Sequence, residues 1–474
     1  MRWGKPEWTD DPAWRRRVGL AMVAVGASIM LVVPLARWYE QAESPRPSER
    51  SDAGPDLVTG ARGAFPAPLG TTAPSAPDHV VRPTTTDDAL VHGLGVRATE
   101  AGVRAVNLRT GKQYWRYERR SKDVWDPWVE VSERTVVVWF ADGRITAVDL
   151  RTGKPLWHER NRLAAGERTM LGRIVGGQVI TEVPGGVSAL AERDGRTLWT
   201  VRPRGSHGDG TCDETPVRAV HAFPDHLSTV MVRCDTLTTR KQRIDPHEVS
   251  PETEVDADKS RGILLGVDNR TGDVLWQRRS GAEEEVGKGD ENTLVALDPY
   301  ASVPRVDLLD VDRAGASRRA GITGRERRLS AVGDGVVVST IDPEVYAFDS
   351  NNLLSVYDTQ DGHLLWKLPA PSRQVYGHPV VADGRVYVVR QADLVHRDVR
   401  SLSDADLLVF DARTGRPLHT VRLPALAKPK KAGSGTVLDL DVADGAVRVR
   451  WAGGEKDLFL VTDRPLRPVP RIPG

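Results

Sequence analysis

The sequence has few cysteines and almost no net charge, and each deficiency excludes a class of protein. Cys212 and Cys234 are the only cysteines in 474 residues, so there is no vicinal cysteine pair and no C-x-x-C-H haem attachment sequence. The formal net charge is +1, whereas binding along nucleic acid phosphates requires a strongly basic face. We therefore expect no nucleic-acid partner. G-x-S-x-G, H-E-x-x-H and Walker A sequences are also absent, which leaves hydrolase and nucleotide chemistry without support.

Sequence patterns that bind metals are equally weak. The segments 310–315 (DVDRAG) and 439–445 (DLDVADG) resemble calcium loops, but neither has the D-x-[DN]-x-[DN]-G spacing. Four histidines, at positions 207, 221, 226 and 247, are close in sequence without a diagnostic ligand spacing. We expect no metal site, no cofactor site and no catalytic residue.

The N-terminal region differs in character from the rest of the chain. Residues 18–36 carry no charge and are long enough to cross a bilayer as a helix. Three arginines precede this stretch and Trp38 and Tyr39 follow it, which places the N-terminus inside the cell. We predict a cytoplasmic tail over 1–17 and an uncleaved signal anchor over 18–38, with the remaining chain outside the cytoplasm. A cleaved signal peptide is the alternative.

The next segment, 39–86, is rich in Pro, Ser, Ala, Thr and Gly and has no hydrophobic periodicity. Such a composition predicts a disordered linker, because too little apolar surface is available to offset the entropy of ordering. Short apolar runs separated by Gly- and Asp-containing turns then continue to the end of the chain. We assign 87–466 to an all-β domain and 467–474 to a C-terminal tail.

A nine-residue sequence recurs through this domain. Legible copies are NLRTGKQYW (107–115), DLRTGKPLW (149–157), AERDGRTLW (191–199), DNRTGDVLW (268–276), DTQDGHLLW (358–366) and DARTGRPLH (411–419). A degenerate copy at 310–319 fills the longest gap. A period in the low forties is typical of β-propeller blades with four strands each.

Each type of residue that recurs between the copies has a structural role. The first Asp can cap the turn, and the Gly supplies the positive φ of a tight hairpin. The Trp begins the next strand with a broad apolar surface that would dock on the neighbouring blade. The predicted docking residues are Trp115, Trp157, Trp199, Trp276 and Trp366, with Gly111, Gly153, Gly195, Gly272, Gly362 and Gly415.

The segment AVDLRTGKPLW (147–157) resembles the tryptophan-docking motif of pyrroloquinoline-quinone (PQQ) type propellers. That family includes quinoprotein alcohol dehydrogenases and non-catalytic assembly lipoproteins of the outer membrane. The resemblance implies an all-β propeller; eight blades are favoured and seven are possible. In the eight-bladed form an N-terminal strand such as HVVRP (79–83) would close the last blade.

Insertions into the repeat fall on one side of the predicted propeller. With strands named A to D from the axis outward, 235–262, 341–352 and 391–406 lie between B and C, and 202–216 lies between D and A. All four belong to the face opposite the repeated turns. Elaboration of one face indicates a binding surface, so we expect a protein or cell-envelope partner there.

The two cysteines belong to the same elaborated region. Cys212 precedes strand A of the fourth blade and Cys234 ends its strand B. Since disulfides persist outside the cytoplasm, we predict a Cys212–Cys234 bridge. Two free thiols are the alternative.

These observations predict a membrane-anchored, extracytoplasmic β-propeller that binds a partner or serves as a scaffold. The alternative, implied by the family resemblance, is a quinoprotein dehydrogenase that uses PQQ and Ca²⁺. Catalytic members carry a vicinal cysteine pair over the quinone, and the two cysteines of this chain are separated in sequence.

Overall fold

The computed structural model describes an all-β protein. The described residues are 49–53, 69–70, 72–81, 89–119, 127–140, 142–160, 172–183, 185–203, 217–234, 237–245, 248–255, 261–281, 285–298, 305–322, 330–340, 352–392, 401–402, 405–427, 437–451 and 457–465. Contacts divide the chain into Met1–Glu49 and Arg50–Gly474, and the fold belongs to the second unit. In the part of the chain that is described, no helix has the length and apolarity to cross a membrane. The predicted tail 1–17 and anchor 18–38 lie outside the described residues.

Two short strands, β1 (Glu49–Ala53) and β2 (His79–Val81), precede the first four blades. Blade 1 contains β3 (Ala89–Val91), β4 (Leu94–Thr99), β5 (Gly102–Asn107) and β6 (Lys112–Arg119), and blade 2 contains β7 (Trp128–Val131), β8 (Thr135–Trp139), β9 (Arg144–Asp149) and β10 (Pro155–Arg160). Blade 3 contains β11 (Gly172–Val175), β12 (Gln178–Val183), β13 (Gly186–Ala191) and β14 (Thr197–Val201). Blade 4 contains β15 (Val217–Phe223), β16 (Leu227–Cys234), β19 (Arg261–Asp268) and β20 (Val274–Ser280), with the hairpin β17 (Leu237–Asp245) and β18 (Glu248–Val255) inserted between β16 and β19.

Four further blades follow. Blade 5 contains β21 (Glu285–Lys288), β22 (Thr293–Asp298), β23 (Arg305–Val311) and β24 (Ala316–Ile322), and blade 6 contains β25 (Ala331–Gly333), β26 (Val336–Ser339), β27 (Leu353–Asp358) and β28 (Leu364–Pro369). Blade 7 contains the interrupted first strand β29 (Gln374–Tyr376) and β30 (Val380–Ala382), then β31 (Arg385–Ala392), β33 (Asp406–Asp411) and β34 (Pro417–Arg422). The small strands β32 (Ser401–Leu402) and β35 (Leu426–Ala427) pair with each other. Blade 8 contains β36 (Leu438–Ala443), β37 (Ala446–Trp451) and β38 (Asp457–Thr462), completed by β2.

The eight blades form a closed ring. The innermost strands contact one another in the order β3, β7, β11, β15, β21, β25, β30, β36, and β36 returns to β3. Eight clusters of buried apolar side chains follow the same order, each shared by two adjacent blades. The hydrophobic core of the protein therefore lies in the seams between blades. The prediction of an all-β propeller with eight blades is confirmed, and seven blades are excluded.

The N-terminal strand β2 closes the ring. Val80 pairs with Val461 in the antiparallel β2–β38 ladder, so the last blade combines three strands from the C-terminal end of the chain with one from the N-terminal end. The preceding segment is held as well, because the Ala73 amide donates to Asp383 at 2.6 Å and the Tyr387 hydroxyl donates to the Pro74 carbonyl at 2.9 Å. Closure by a strand from 79–83 was predicted and is confirmed.

The prediction of a disordered linker throughout 39–86 needs correction at two places. The strand β2 belongs to blade 8, and β1 adds to the outer edge of blade 1 beside β6. The composition conceals β1 because an edge strand is held by backbone hydrogen bonds and needs no apolar pattern. Asp52 of β1 also accepts from Arg116 of β6 at 2.8 Å.

Strand order assigns every connection to one of two faces. A–B and C–D turns emerge at one end of each blade, and B–C and D–A connections emerge at the other, because consecutive strands are antiparallel. We call the first the turn face and the second the loop face.

Candidate functional site

The repeated segment forms the same C–D turn in six blades. In each, the amide of the repeat glycine donates to the backbone carbonyl four residues earlier, as from Gly153 to Asp149 at 2.8 Å. The Asp149 carboxylate accepts from the Thr152 amide at 2.8 Å, which is the predicted cap. The six glycines have φ between 67° and 78°, and this region favours glycine.

The repeat tryptophans dock across the seams with a shared hydrogen bond. Each indole Nε1 donates to a backbone carbonyl in the C–D turn of the next blade. The pairs are Trp115–Leu150 at 2.6 Å, Trp157–Glu192 at 2.7 Å, Trp199–Asn269 at 3.2 Å, Trp276–Asp312 at 2.9 Å and Trp366–Ala412 at 2.8 Å. Since a buried indole N–H requires an acceptor, the ring contact and the bond together set the position of one blade on the next.

Several repeat glycines have a second role, which is to leave room for the docked ring. A Cβ atom at Gly153 would lie 2.8 Å from the Trp115 ring, and one at Gly195 would lie 2.7 Å from the Trp157 ring. Gly272 and Gly415 meet the rings of Trp199 and Trp366 in the same way. These glycines therefore serve both the turn and the seam.

The degenerate copy at 310–319 docks by a different side chain. Strand register places Ala320, one residue beyond the copy, opposite Leu308, where the other blades have tryptophan. Arg319 occupies the bulge before it. Its Nη2 donates to the Thr359 carbonyl at 2.6 Å and to Thr293 Oγ1 at 3.0 Å. Thr359 stands in the turn of blade 6 where Leu150 stands in blade 2, so a guanidinium makes the bond that an indole makes elsewhere.

Two seams add an ion pair between consecutive turns. Arg313 of blade 5 contacts Asp268 of blade 4 at 2.7 Å, and Arg413 of blade 7 pairs with Asp358 of blade 6. Hydrogen bonds from the Arg270 amide and from Arg313 lower the pKa of Asp268 to about 2. All these contacts join blade to blade, and the repeated residues are therefore architectural.

The elaborated segments emerge on the loop face. The described secondary structure added there is the β17–β18 hairpin, between the B and C strands of blade 4, and the β32–β35 pair of blade 7. By contrast, the B–C turns of blade 1 and blade 3 contain only two residues each between their strands. The segments 204–216, 341–351 and 393–400 lie outside the described residues. Their flanking strands place each of them in a B–C or D–A connection.

Cys234 lies at the loop-face end of β16. It is buried, with 5% of its surface exposed, and it packs in the cluster shared by blades 3 and 4. No cysteine in the described part of the chain is a free thiol. Cys212 lies outside the described residues, so the Cys212–Cys234 bridge stays a prediction.

A polar cavity of about 420 Å³ opens among the innermost strands of blades 4, 5 and 6. His221, Glu285, Lys288 and Ser330 contribute to its lining. His221 Nε2 is buried without a hydrogen-bond partner, and burial lowers the pKa of its imidazole. Lys288 Nζ donates to the Ala222 carbonyl at 2.6 Å. The sequence identified His221 only as one of four histidines that are close together in the chain. It did not identify Lys288, because the contacts of Lys288 depend on which strands are innermost.

The residues of the described region do not fit a quinone–calcium centre. No three His, Cys, Asp or Glu side chains converge there as metal ligands. Near the axis, Glu130 of β7 is already paired with Arg173 of β11, and burial raises the pKa of its carboxyl. The sequence also lacks a vicinal cysteine. We therefore derive no chemical step through such a group.

The chain is similar to one protein family and to solved structures of other proteins. The family model described as "Outer membrane protein assembly factor BamB" matches residues 71–183 and 260–449. BamB from Moraxella catarrhalis has 13% identity and a TM-score of 0.48, covering 82% of this chain and 99% of its own. Quinohemoprotein alcohol dehydrogenase from Comamonas testosteroni has 13% identity and a TM-score of 0.46, covering 87% of this chain and 82% of its own. No curated protein sequence matches. The family match spans more than half of the chain, and the protein belongs to the PQQ-like β-propeller family of the outer membrane protein assembly factor BamB.

Proposed function

We propose that this protein is a cell-envelope scaffold that binds a protein partner on its loop face and has no catalytic activity. The observation that supports this proposal is the difference between the turn face and the loop face. The repeat turns of blades 2 to 7 are occupied in blade-to-blade docking, whereas the added hairpin β17–β18 and the β32–β35 pair belong to the loop face. The name of the family, an assembly factor for outer membrane proteins, supports a role in protein association.

The β17–β18 hairpin is the best-defined candidate contact. Its strands are nine and eight residues long, enough to extend about 25–30 Å. Register pairs Arg240 with Glu252 and Thr238 with Glu254 across the two strands. A long hairpin offers a partner its backbone edges without requiring the blade to change.

Removal of the hairpin tests this proposal. We would replace residues 236–260 by an Asn-Gly turn, crosslink the protein in cells and compare recovered partners by mass spectrometry. The expected result is loss of crosslinked partners with an unchanged thermal unfolding midpoint. The matched control is Arg193→Glu, a charge change in an exposed turn of blade 3 on the opposite face. Equal recovery by the hairpin variant and the wild type would refute the assignment of the binding face.

We also propose that residues 18–38 anchor the propeller to the cell membrane, with the N-terminus inside. The support is the uncharged stretch 18–36 between three arginines and an aromatic pair. Deleting residues 1–38 should move the protein from the carbonate-resistant membrane fraction to the soluble one. Retention of the truncated protein in the membrane fraction would contradict the anchor.

The alternative quinoprotein function makes a distinct prediction. An enzyme of that class would take up PQQ in the presence of Ca²⁺ and gain the absorbance of the bound quinone. We expect titration of the purified protein to leave its absorbance equal to the sum of the separate components. Saturable spectral change at one equivalent would favour the enzyme over the scaffold.

A further inference from the structure

Three arginines form a row across blade 1. Antiparallel register places Arg97 of β4 directly opposite Arg104 of β5, and Arg104 directly opposite Arg116 of β6. Residues opposite each other on adjacent strands have Cβ atoms about 5 Å apart. The row therefore brings three guanidinium groups together on a single face of the sheet.

This face looks toward blade 8. Val103, Ala105, Trp115 and Tyr117 alternate with the arginines and belong to the cluster shared with blade 2. The arginines consequently lie on the opposite side of the sheet, since successive side chains of a strand alternate.

The apolar cluster between blades 8 and 1 is the smallest of the eight. Its buried members are Leu69, Ala446 and Leu460. Blade 8 contributes two more arginines to this seam, because Arg448 and Arg450 alternate with valines of the blade 7 cluster. Both lie close to one carboxylate, that of Asp441, whose Oδ2 accepts from Arg448 Nε at 2.9 Å and is 3.8 Å from Arg450 Nε.

A cavity of about 500 Å³ opens over the arginine row. Volumes of about 300–1,000 Å³ are usual for small-molecule sites. The lining contains Arg97, Arg104 and Arg116 with Gln113, against only two acidic residues, Glu100 and Glu118. The cavity thus presents several N–H donors.

Arg104, at the centre of the row, has a buried nitrogen without a partner. Its Nε makes no hydrogen bond in the part of the chain that the structure describes. Its neighbour Arg116 is already engaged, by Asp52 at 2.8 Å and by Glu118 at 3.3 Å. Like charges placed directly opposite on adjacent strands destabilise a sheet, and an anion between them would remove that repulsion.

We propose that this cavity binds an oxyanion, a carboxylate or a phosphate, with Arg104 as its principal donor. The planar guanidinium presents paired donors that match both groups. Since Asp52 and Glu118 already pair with Arg116, the site takes a ligand that presents a single anionic group to Arg104. The site adjoins the loop face, because Glu100 and Ala101 of the blade 1 B–C turn belong to its lining, but its test does not depend on the partner proposed above.

Thermal unfolding of the full chain with added anions tests the proposal. Sodium phosphate and sodium succinate are titrated separately at constant ionic strength maintained with sodium chloride. The variants are Arg104→Gln and, as the matched control, Arg193→Gln, which removes an exposed arginine from the turn face. One or both oxyanions should raise the midpoint of thermal unfolding in a saturable manner. A response to phosphate identifies a phosphate ligand, and a response to succinate identifies a carboxylate ligand.

In Arg104→Gln the half-saturating concentration should rise at least about tenfold, as expected for loss of a charged hydrogen bond, while Arg193→Gln should behave as the wild type. Without added oxyanion, Arg104→Gln should be as stable as the wild type or more stable, because repulsion in the row is relieved. A purely structural Arg104 would lower the midpoint instead.

Calorimetric titration of Arg104→Lys at 25 °C provides a second measurement on a variant that keeps the charge. It should bind the same anion more weakly than the wild type does. Equal affinity of the wild type and Arg104→Gln, or no saturable response of the wild type to either oxyanion, would overturn the proposal.

Discussion

Gly153 meets two separate requirements, since its φ is 67° and a side chain there would overlap the Trp115 ring. Gly384 meets only the first, because its φ is 69° and no atom lies within 4 Å of a Cβ built on it. Substitutions at Gly153 and Gly384 can therefore distinguish the cost of backbone strain from the cost of steric overlap with the docked ring.

We predict that Gly384→Ala lowers the free energy of unfolding by about 1–2 kcal/mol, the penalty of a left-handed backbone. Gly153→Ala should lower it by about 1–3 kcal/mol more, since the added methyl displaces the docked ring. Urea unfolding of both variants measures the difference. If the two variants lose equal stability, the close approach of Trp115 does not limit this position.

Asp268 links a turn to the following blade and should make stability depend on acid pH. Its folded pKa of about 2 lies below the ordinary value of 3.8, so its contribution is complete above pH 4 and disappears as pH falls toward 2. Asp268→Asn should therefore reduce the free energy of unfolding by about 2 kcal/mol at pH 7 and by roughly half of that near pH 3.

The control for Asp268 is Asp194→Asn. Asp194 caps its turn by accepting from the Arg196 amide at 3.1 Å, but no ion pair to the next blade occurs for it among the described residues. Its substitution should have a smaller effect at pH 7. A loss of stability in Asp268→Asn that is the same at pH 7 and pH 3 would contradict the ionic contribution.

At the scale of the strand, the seam between blades 5 and 6 depends on Arg319 instead of a tryptophan. Arg319→Met keeps much of the aliphatic side chain but removes the bonds to Thr359 and Thr293, and it should lower the free energy of unfolding by about 1.5–3 kcal/mol.

Arg318→Met is the matched control. Arg318 is half exposed and pairs with Asp307 in the same blade at 2.7 Å, so its loss should be below about 1 kcal/mol. Denaturant titration that gives equal losses would argue against a docking role for Arg319.

The predicted Cys212–Cys234 bridge would tie strand β16 to the connection that precedes blade 4. Closing a loop of this size stabilises a protein by about 3 kcal/mol. Cys234→Ser and treatment with reductant should therefore lower the unfolding midpoint equally, and the two effects should not add. Maleimide labelling of both cysteines in the native, unreduced protein would disprove the bridge.

The blade repeat could be recognised in the sequence because five of the six legible copies contain both the turn glycine and the docking tryptophan. The arginine row was not, since Arg97, Arg104 and Arg116 become neighbours only through the register of three strands. The position of the degenerate copy shows a similar limit. Counting residues selects Arg319 in place of tryptophan, whereas the strand register places Ala320 there, because the turn of this copy is longer than that of blade 2. Patterns within one strand were predictable, and relations between strands required the structure.

For the molecule as a whole, closure of the ring depends on a short N-terminal segment. A chain that begins at residue 69 retains β2 and should unfold close to the wild type, because it loses β1 alone from the described strands. A chain that begins at residue 82 leaves β38 with an unpaired edge and loses the Ala73 and Tyr387 bonds.

We expect the shorter chain to lose about 3 kcal/mol or more of stability and to aggregate through the exposed strand. Size-exclusion chromatography and thermal unfolding of the two truncated chains provide the measurement. Similar midpoints and monomeric behaviour for both would show that β2 is dispensable for closure.

The pairing of β2 with β38 also sets the order of events during synthesis. Since its partner strand follows seven complete blades in the sequence, β2 must remain unpaired while those blades are made. Contacts between distant parts of a chain form slowly, and domains whose last strand is missing expose edges that attract other chains. Until β38 has been made, the ring is open and β2 is an unpaired strand. A chaperone that shields strand edges would therefore matter most in this final interval.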